Sequence, residues 1–212
     1  MIYTKEDFEN MSRVERLNLI NSCSGIKPAN LIGTQSAAGQ PNVAIFSSVV
    51  HLGSNPALFG MVFRPQHEKP RDTYLNIRAT GFYTINHIPT WLVEQAHFTS
   101  AKFTPEISEF DRCAIQSTYL DDFPAPFVET SPLKLGMRLV QEIPIEINKT
   151  ILMIGALEYI QVADEALDAN GNIDLEVLNS AGVGGVNTYY SLKRENRFPY
   201  AHVADVPDFS SY

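Results

Sequence analysis

Two cysteines in 212 residues, Cys23 and Cys113, are too few and too isolated for a disulfide framework or a CxxC pair, so nothing in the thiol count demands an oxidising compartment. Positive charge is also scarce: 16 lysines and arginines stand against 24 acidic residues, a formal charge of -8. A protein that binds a phosphate backbone needs a basic surface to displace counterions, so nucleic acid is excluded as a partner, and an acidic membrane surface is disfavoured alike. Long apolar runs are missing; VAIF and ILMIGAL fall far short of the roughly 20 residues that span a bilayer. The opening MIYTKEDFENMSRVERL has charges of both signs and no apolar core of a signal peptide. The expectation is a cytoplasmic protein.

Catalytic signatures are sparse as well. There is no H-E-x-x-H and no zinc spacing among His51, His67, His87, His97 and His202. There is no G-x-S-x-G elbow for a serine nucleophile, and the glycines of AGVGGVN, 181 to 187, lack the dinucleotide spacing and read as a tight turn. Glu94 and His97 make one E-x-x-H pair, but a di-iron site needs a second.

What the chain does have is enough apolar content, 44%, to bury roughly 70% of its unfolded surface in one core. One domain over 1–212 is expected, with a helical N-terminal extension over 1–25 and strands from about residue 26. Thr4 with Asp7 and Ser12 with Glu15 have N-cap spacing, the second as a full capping box, and Val14, Leu17, Leu19 and Ile20 make a rough apolar stripe. ANLIGT and NVAIFSSVV flank the turn residues AAGQP as a hairpin. ALFGMVF reads as a strand buried on both faces, followed by the turn-rich RPQHEKP. RDTYLNIRATG reads as a short helix capped by Asp72, packed through Leu75, Ile77 and Ala79 and ended by Gly81. GFYTINHI is a strand by alternation. Residues 89 to 132 read as a mixed insertion with a helix near Trp91 to Phe98. KLGMRLVQEIPIEIN, TILMIGALEYIQV, bending at Gly155, and GNIDLEVLN then read as further strands. Many short strands and few helices predict a mainly β barrel with peripheral helices.

Two segments carry ligand chemistry. Arg71, Asp72 and Thr73 open a helix, where free N–H groups and the positive end of the dipole favour an anion and a guanidinium can grip phosphate; the same residues also suit an ordinary capped surface helix. In Val43, Ala44, Ile45, Phe46, Ser47 and Ser48 an apolar strand runs into adjacent hydroxyls, a place for a flat ring with a polar tail, or simply a barrel strand ending in a polar turn.

The order ANLIGT, GQPNVAIFSS, SNPALFGMVFRP, RDTYLNI and TGFYTIN, over about residues 26 to 88, resembles the flavin reductase-like, FMN-binding split-barrel family, relatives of flavoredoxin and NAD(P)H:flavin oxidoreductase. The resemblance implies a Greek-key-like split β-barrel, a homodimer with flavin near the subunit interface, and FMN as cofactor. It implies that Val43 to Phe46 run past the flavin ring, with backbone groups of Ala44 and Phe46 near its polar atoms. Ser47 and Ser48 would face the ribityl chain and phosphate, Arg64, Arg71 and Thr73 would hold the phosphate, and Asn30 would lie near the pyrimidine edge. Gly185 and Tyr189 would lie close to a flavin. His97, in EQAHFTSAKF, would orient substrate or stabilise reduced flavin, unless it is a hydrogen-bonded helix-end histidine. Relatives often carry Pro-Pro and Lys where this chain has Pro56-Ala57 and Arg71; arginine keeps the charge. The implied activity is electron transfer from NADH or NADPH through FMN to a small-molecule acceptor or a partner flavoenzyme. A non-enzymatic FMN carrier reduced by another protein is the alternative, and a heme or pyridoxamine split-barrel enzyme shares the expected fold.

Overall fold

Antiparallel pairing organises the chain. In the computed structural model, which describes residues 1–66, 70–104 and 106–211, the first two elements are helices α1 (Lys5–Asn10) and α2 (Arg13–Cys23). Both start with a reciprocal capping box: Thr4 exchanges bonds with Asp7, as Ser12 does with Glu15. Aspartate therefore closes the first box as well as glutamate closes the second. Neither helix buries a residue, and Val14, Leu17 and Ile20 stay exposed, so the apolar stripe is not covered by the body of its own chain.

Seven strands build the main sheet: β2 (Asn30–Gln35), β3 (Pro41–Phe46), β4 (Val49–Ser54), β5 (Ala57–Phe63), β6 (Phe82–His87), β9 (Leu133–Ile145) and β10 (Thr150–Val162). Their order is β3-β2-β6-β9-β10-β5-β4, with every pair antiparallel. The stretch NVAIFSSVV is two strands, because the chain turns at Ser47 and leaves one hairpin for the next. β3 and β4 stand at opposite ends of the order, yet only Ser47 and Ser48 separate them in the chain. Three chain steps reach at most about 11 Å. The two sheet edges must meet there, so the sheet curls into a barrel that remains split between β3 and β4.

Alternation then divides the apolar side chains. Ile32, Met61, Tyr83, Ile85, Met137 and Met153 fill the barrel, with Tyr74 and Ile77 of α3 (Asp72–Thr80) packed in the same cluster. Leu31 and Val43 point the other way, into a second cluster with Leu92, Ala96, Phe110 and Val128. That cluster is the underside of the insertion, which carries α4 (Val93–Phe98), α5 (Glu109–Arg112) and the short pair β7 (Ser117–Thr118) and β8 (Phe127–Val128). β2 is accordingly buried on both faces. On α3, Tyr74 packs inward where Leu75 was expected, and Leu75 is exposed. Arg71 is the N-cap and Asp72 the first helical residue, without a side-chain cap bond; Gly81 ends the helix in the left-handed conformation, φ 79°.

A second sheet of β1 (Lys27–Pro28), β11 (Ala181–Gly184) and β12 (Thr188–Ser191) lies in the order β1-β11-β12. AGVGGVN, expected as a tight turn, is thus the whole of β11 followed by the turn that leads to β12. GNIDLEVLN is not a strand: the Asp168 carboxylate gathers the N–H groups of Asn170 and Asn172, and Gly171 takes φ 79°, folding the segment into turns. β10 bends as expected, with a register shift between Ile154 and Gly155. Part of RPQHEKP, including His67, lies outside the described residues. Among those described, no helix is long and apolar enough to cross a membrane.

The last residue of β6 introduces a pH dependence. Burial pushes the His87 imidazole down from its ordinary 6.5 to about 4. The unfolded chain therefore takes the proton first as pH falls. Stability should be full above pH 6.5, decline between 6.5 and about 4, and level off once the folded ring protonates too. At 1.36 kcal/mol per unit, and discounting for the ring's partial exposure, about 2 kcal/mol should go by pH 4.5. Urea melts of the parent and His87→Gln at pH 7 and 4.5 check this: the variant should lose distinctly less.

Candidate functional site

A cavity of about 510 Å³ lies over the Ser47–Ser48 joint, within the usual ~300–1,000 Å³ of small-molecule sites. One wall is apolar, from Ala44, Ile45 and Phe46 of β3, Val62 and Phe63 of β5, and Phe103. Phe46 and Phe63 stack edge-on at 5.1 Å, which fixes the ring that the wall presents. Arg64 follows β5, and Arg71, Asp72 and Thr73 start α3; all four line the cavity. Arg64 and Arg71 make no ion pair among the described residues. The first N–H groups of α3 have no intrahelical acceptor and no side-chain cap, and so add donors at the same place. Two guanidinium groups with no ion pair among the described residues, the helix dipole and these N–H groups make an anion-binding end.

Several groups are already engaged. The Ser48 hydroxyl donates to Val62 O at 2.8 Å, tying the joint to β5 and leaving its oxygen as an acceptor. The Ile45 N–H donates to Thr99 Oγ1 at 2.9 Å, and the Thr99 hydroxyl to Ala96 O at 2.7 Å, which locks α4 against β3. Because ladder bonds alternate, Ile45 facing outward turns the backbone groups of Ala44 and Phe46 toward Ile32 and Asn30 of β2. Their polar atoms are thus placed in the ladder, contrary to the role expected for them, and it is the side chains of Ala44 and Phe46 that line the cavity.

Thr73 is 3% exposed and turned inward. With the Asn42 amide oriented to satisfy both its ends, its oxygen accepts from the hydroxyls of Thr34 and Thr73 at 3.2 Å each, and its nitrogen donates to Glu109 Oε2 at 3.1 Å. Thr73 thus offers a ligand its backbone N–H, since its hydroxyl is committed. Glu109 lines the cavity from α5, and burial raises its carboxyl pKa against the opposing pull of the Val43 N–H.

Of the other expected residues, Val43 is fully buried beneath the wall, and Asn30 is 1% exposed and does not reach the cavity. Both polar atoms of the Asn30 amide lack a partner among the described residues. Tyr189 lines the cavity, with its hydroxyl 3.0 Å from His97 Nδ1 and the two rings edge-on at 89°. His97 stands behind Tyr189. Gly185, φ 63°, contributes its carbonyl to Lys27 Nζ at 2.7 Å. Lys27 and Glu109 were not legible as site residues, while Asn42 and Thr99 stood inside the stretches NVAIFSS and EQAHFTSAKF without a role of their own.

A split antiparallel barrel with an apolar cleft and an anion-binding end defines a class of ligand-binding barrel. The chain belongs to the flavin reductase like domain family, whose pattern its residues 26–179 match. It is similar, at 43% identity and a TM-score of 0.91 over 95% of this chain and 100% of the other, to a structure from Shewanella frigidimarina described as a flavin reductase with split barrel domain. Component B of nitrilotriacetate monooxygenase from Bacillus cereus shares the fold at 18% identity and a TM-score of 0.82, covering 93% and 98% of the two chains. So does an FMN-binding protein of Thermus thermophilus, at 16% identity and 0.68, covering 82% and 90%. Family membership supports flavin-linked oxidoreductase chemistry for this chain.

Proposed function

We propose that the cavity binds FMN and that the protein is an FMN-dependent oxidoreductase, passing electrons from NADH or NADPH to a flavin or another small acceptor. The observation that carries this reading is the convergence of Arg64, Arg71 and the uncapped start of α3 on one end of a cleft whose adjoining wall is Phe46, Val62 and Phe63. A phosphate satisfies the first and a flat ring the second. FMN, when bound, supplies reversible acceptance of two electrons. The chain supplies placement: the aromatic wall orients the ring, the anion end anchors the tail, and Thr99 and Asn42 hold β3 rigid beneath them. Uncovered apolar residues on α2 and at Phe198 and Tyr200 favour a homodimer, which sedimentation equilibrium tests.

The decisive experiment loads the protein with FMN, desalts it, and follows the flavin absorbance anaerobically after adding NADH or NADPH. Retained yellow colour and bleaching are expected. Colour without bleaching by either nucleotide leaves an FMN carrier reduced by a partner protein; no colour and no saturable FMN titration ends the FMN reading altogether.

A further inference from the structure

Lys27 is a cation in this cavity that the phosphate end does not use. It sits on β1, outside the β5–α3 connection that carries Arg64 and Arg71. Its Nζ donates to two backbone carbonyls, Asn21 O at 3.0 Å and Gly185 O at 2.7 Å, so it ties the end of α2 to the turn between β11 and β12. An ammonium has three N–H groups, and two are accounted for. No carboxylate comes within ion-pair distance of it among the described residues. Nζ is thus pinned in place by two neutral acceptors, with its charge uncompensated and its side chain lining the cavity.

The surroundings of Lys27 suit a second ligand. Ile20 of α2, Val183 and Val186 of the hairpin, and the Tyr189 ring give its wall an apolar, flat part, to which Asn21, Ser24 and the Tyr189 hydroxyl add polar groups. That hydroxyl is oriented by His97, and burial raises its pKa, so it stays a neutral phenol. Glu109 and Asp72 also line the cavity, but Glu109 is held under β3 through Asn42 and the Val43 N–H, and Asp72 begins α3.

We propose that Lys27, with the α2 and hairpin wall, forms a second anion-recognising subsite, which takes the carboxylate or phosphate of a flat second substrate while FMN occupies the arginine end. This rests on the FMN reading above. The same chemistry admits two sources: the phosphate of a nicotinamide nucleotide, or the carboxylate of an aromatic acceptor.

Calorimetric titration of the FMN-loaded protein separates the cases, using benzoate against neutral benzamide and nicotinamide mononucleotide against nicotinamide riboside. In the parent, at least one probe bearing the carboxylate or phosphate should bind about tenfold or more tightly than its counterpart without that group. Lys27→Gln, which keeps an N–H for a carbonyl, should remove that preference, and Lys27→Arg should restore it, with FMN affinity within about twofold throughout. Loss of preference in the benzoate pair assigns an acceptor carboxylate; loss in the nucleotide pair assigns the donor phosphate. The proposal is overturned if the parent shows no anion preference, if Lys27→Gln leaves it intact, or if the change weakens FMN and all probes alike. Failure of the parent to bind FMN at all, seen in the loading step before any probe is added, rejects the underlying FMN reading instead. Should Lys27→Gln not fold, Lys27→Met, which keeps the length of the stem, takes its place in the same titrations, and a preference left intact there overturns the proposal.

Discussion

Arg71→Ala should weaken FMN binding roughly 10- to 150-fold, the equivalent of losing a charged hydrogen bond worth about 1.5 to 3 kcal/mol. Arg71 is the N-cap of α3 and an exposed residue, so its guanidinium contributes nothing to the core. What fixes its backbone is the N–H bond to Gln66 Oε1 at 2.9 Å, which alanine retains. Melting temperature should therefore stay near the parent's while the dissociation constant, read from quenching of flavin fluorescence, rises. Arg78→Ala is the matched control, since Arg78 occupies the other end of the helix and pairs with Glu142 at 3.3 Å. It should leave FMN affinity unchanged. Raising salt should narrow the gap between parent and Arg71→Ala, because an exposed charge is screened. Parental affinity in Arg71→Ala would move the phosphate away from the start of α3.

Much of the scaffold behind that prediction was legible in the sequence. The hairpin of β2 and β3, the helix after Arg71 and the left-handed Gly81 all follow from local signals, since alternation and turn chemistry act within a few residues. The site was less legible because its geometry depends on distant partners. Nothing near Thr73 says that its hydroxyl turns toward Asn42, thirty-one residues earlier. Nothing near Ile45 says that Thr99 takes its N–H and thereby sets which strand residues face outward. Lys27 is a lone lysine before proline until β11 brings the Gly185 carbonyl to it. The segment at Gly171 misled because its apolar alternation is real, but the Asp168 carboxylate offers the backbone a nearer acceptor than any neighbouring strand.

Gly33→Ala should cost about 3 kcal/mol or more, the largest loss of stability expected from so small a change. A Cβ at this position would lie 2.1 Å from Pro126 O and 2.5 Å from Thr84 Oγ1. Those two atoms are themselves hydrogen-bonded at 2.7 Å, in a buried network where the Asn86 amide donates to Leu31 O and accepts from the Val128 N–H. One obstacle is backbone, which cannot rotate away. The methyl must push the insertion away from β2 and, in doing so, break the Thr84–Pro126 bond and leave a buried carbonyl unpaired, and these two penalties, each about 1–3 kcal/mol, add. For a chain of this size the melting temperature should fall by roughly 6–12 °C. Gly53→Ala is the control, because its nearest neighbour, Pro56 O, would stand at an ordinary 3.5 Å. The functional consequence follows from the same contact. The insertion carries Thr99 and Glu109, which hold β3 from outside, so a variant that folds with the insertion displaced should also bind FMN more weakly. A melting temperature within 2 °C of the parent's would mean that the insertion yields easily at Pro126, and that the outer clamp on β3 is looser than its hydrogen bonds imply.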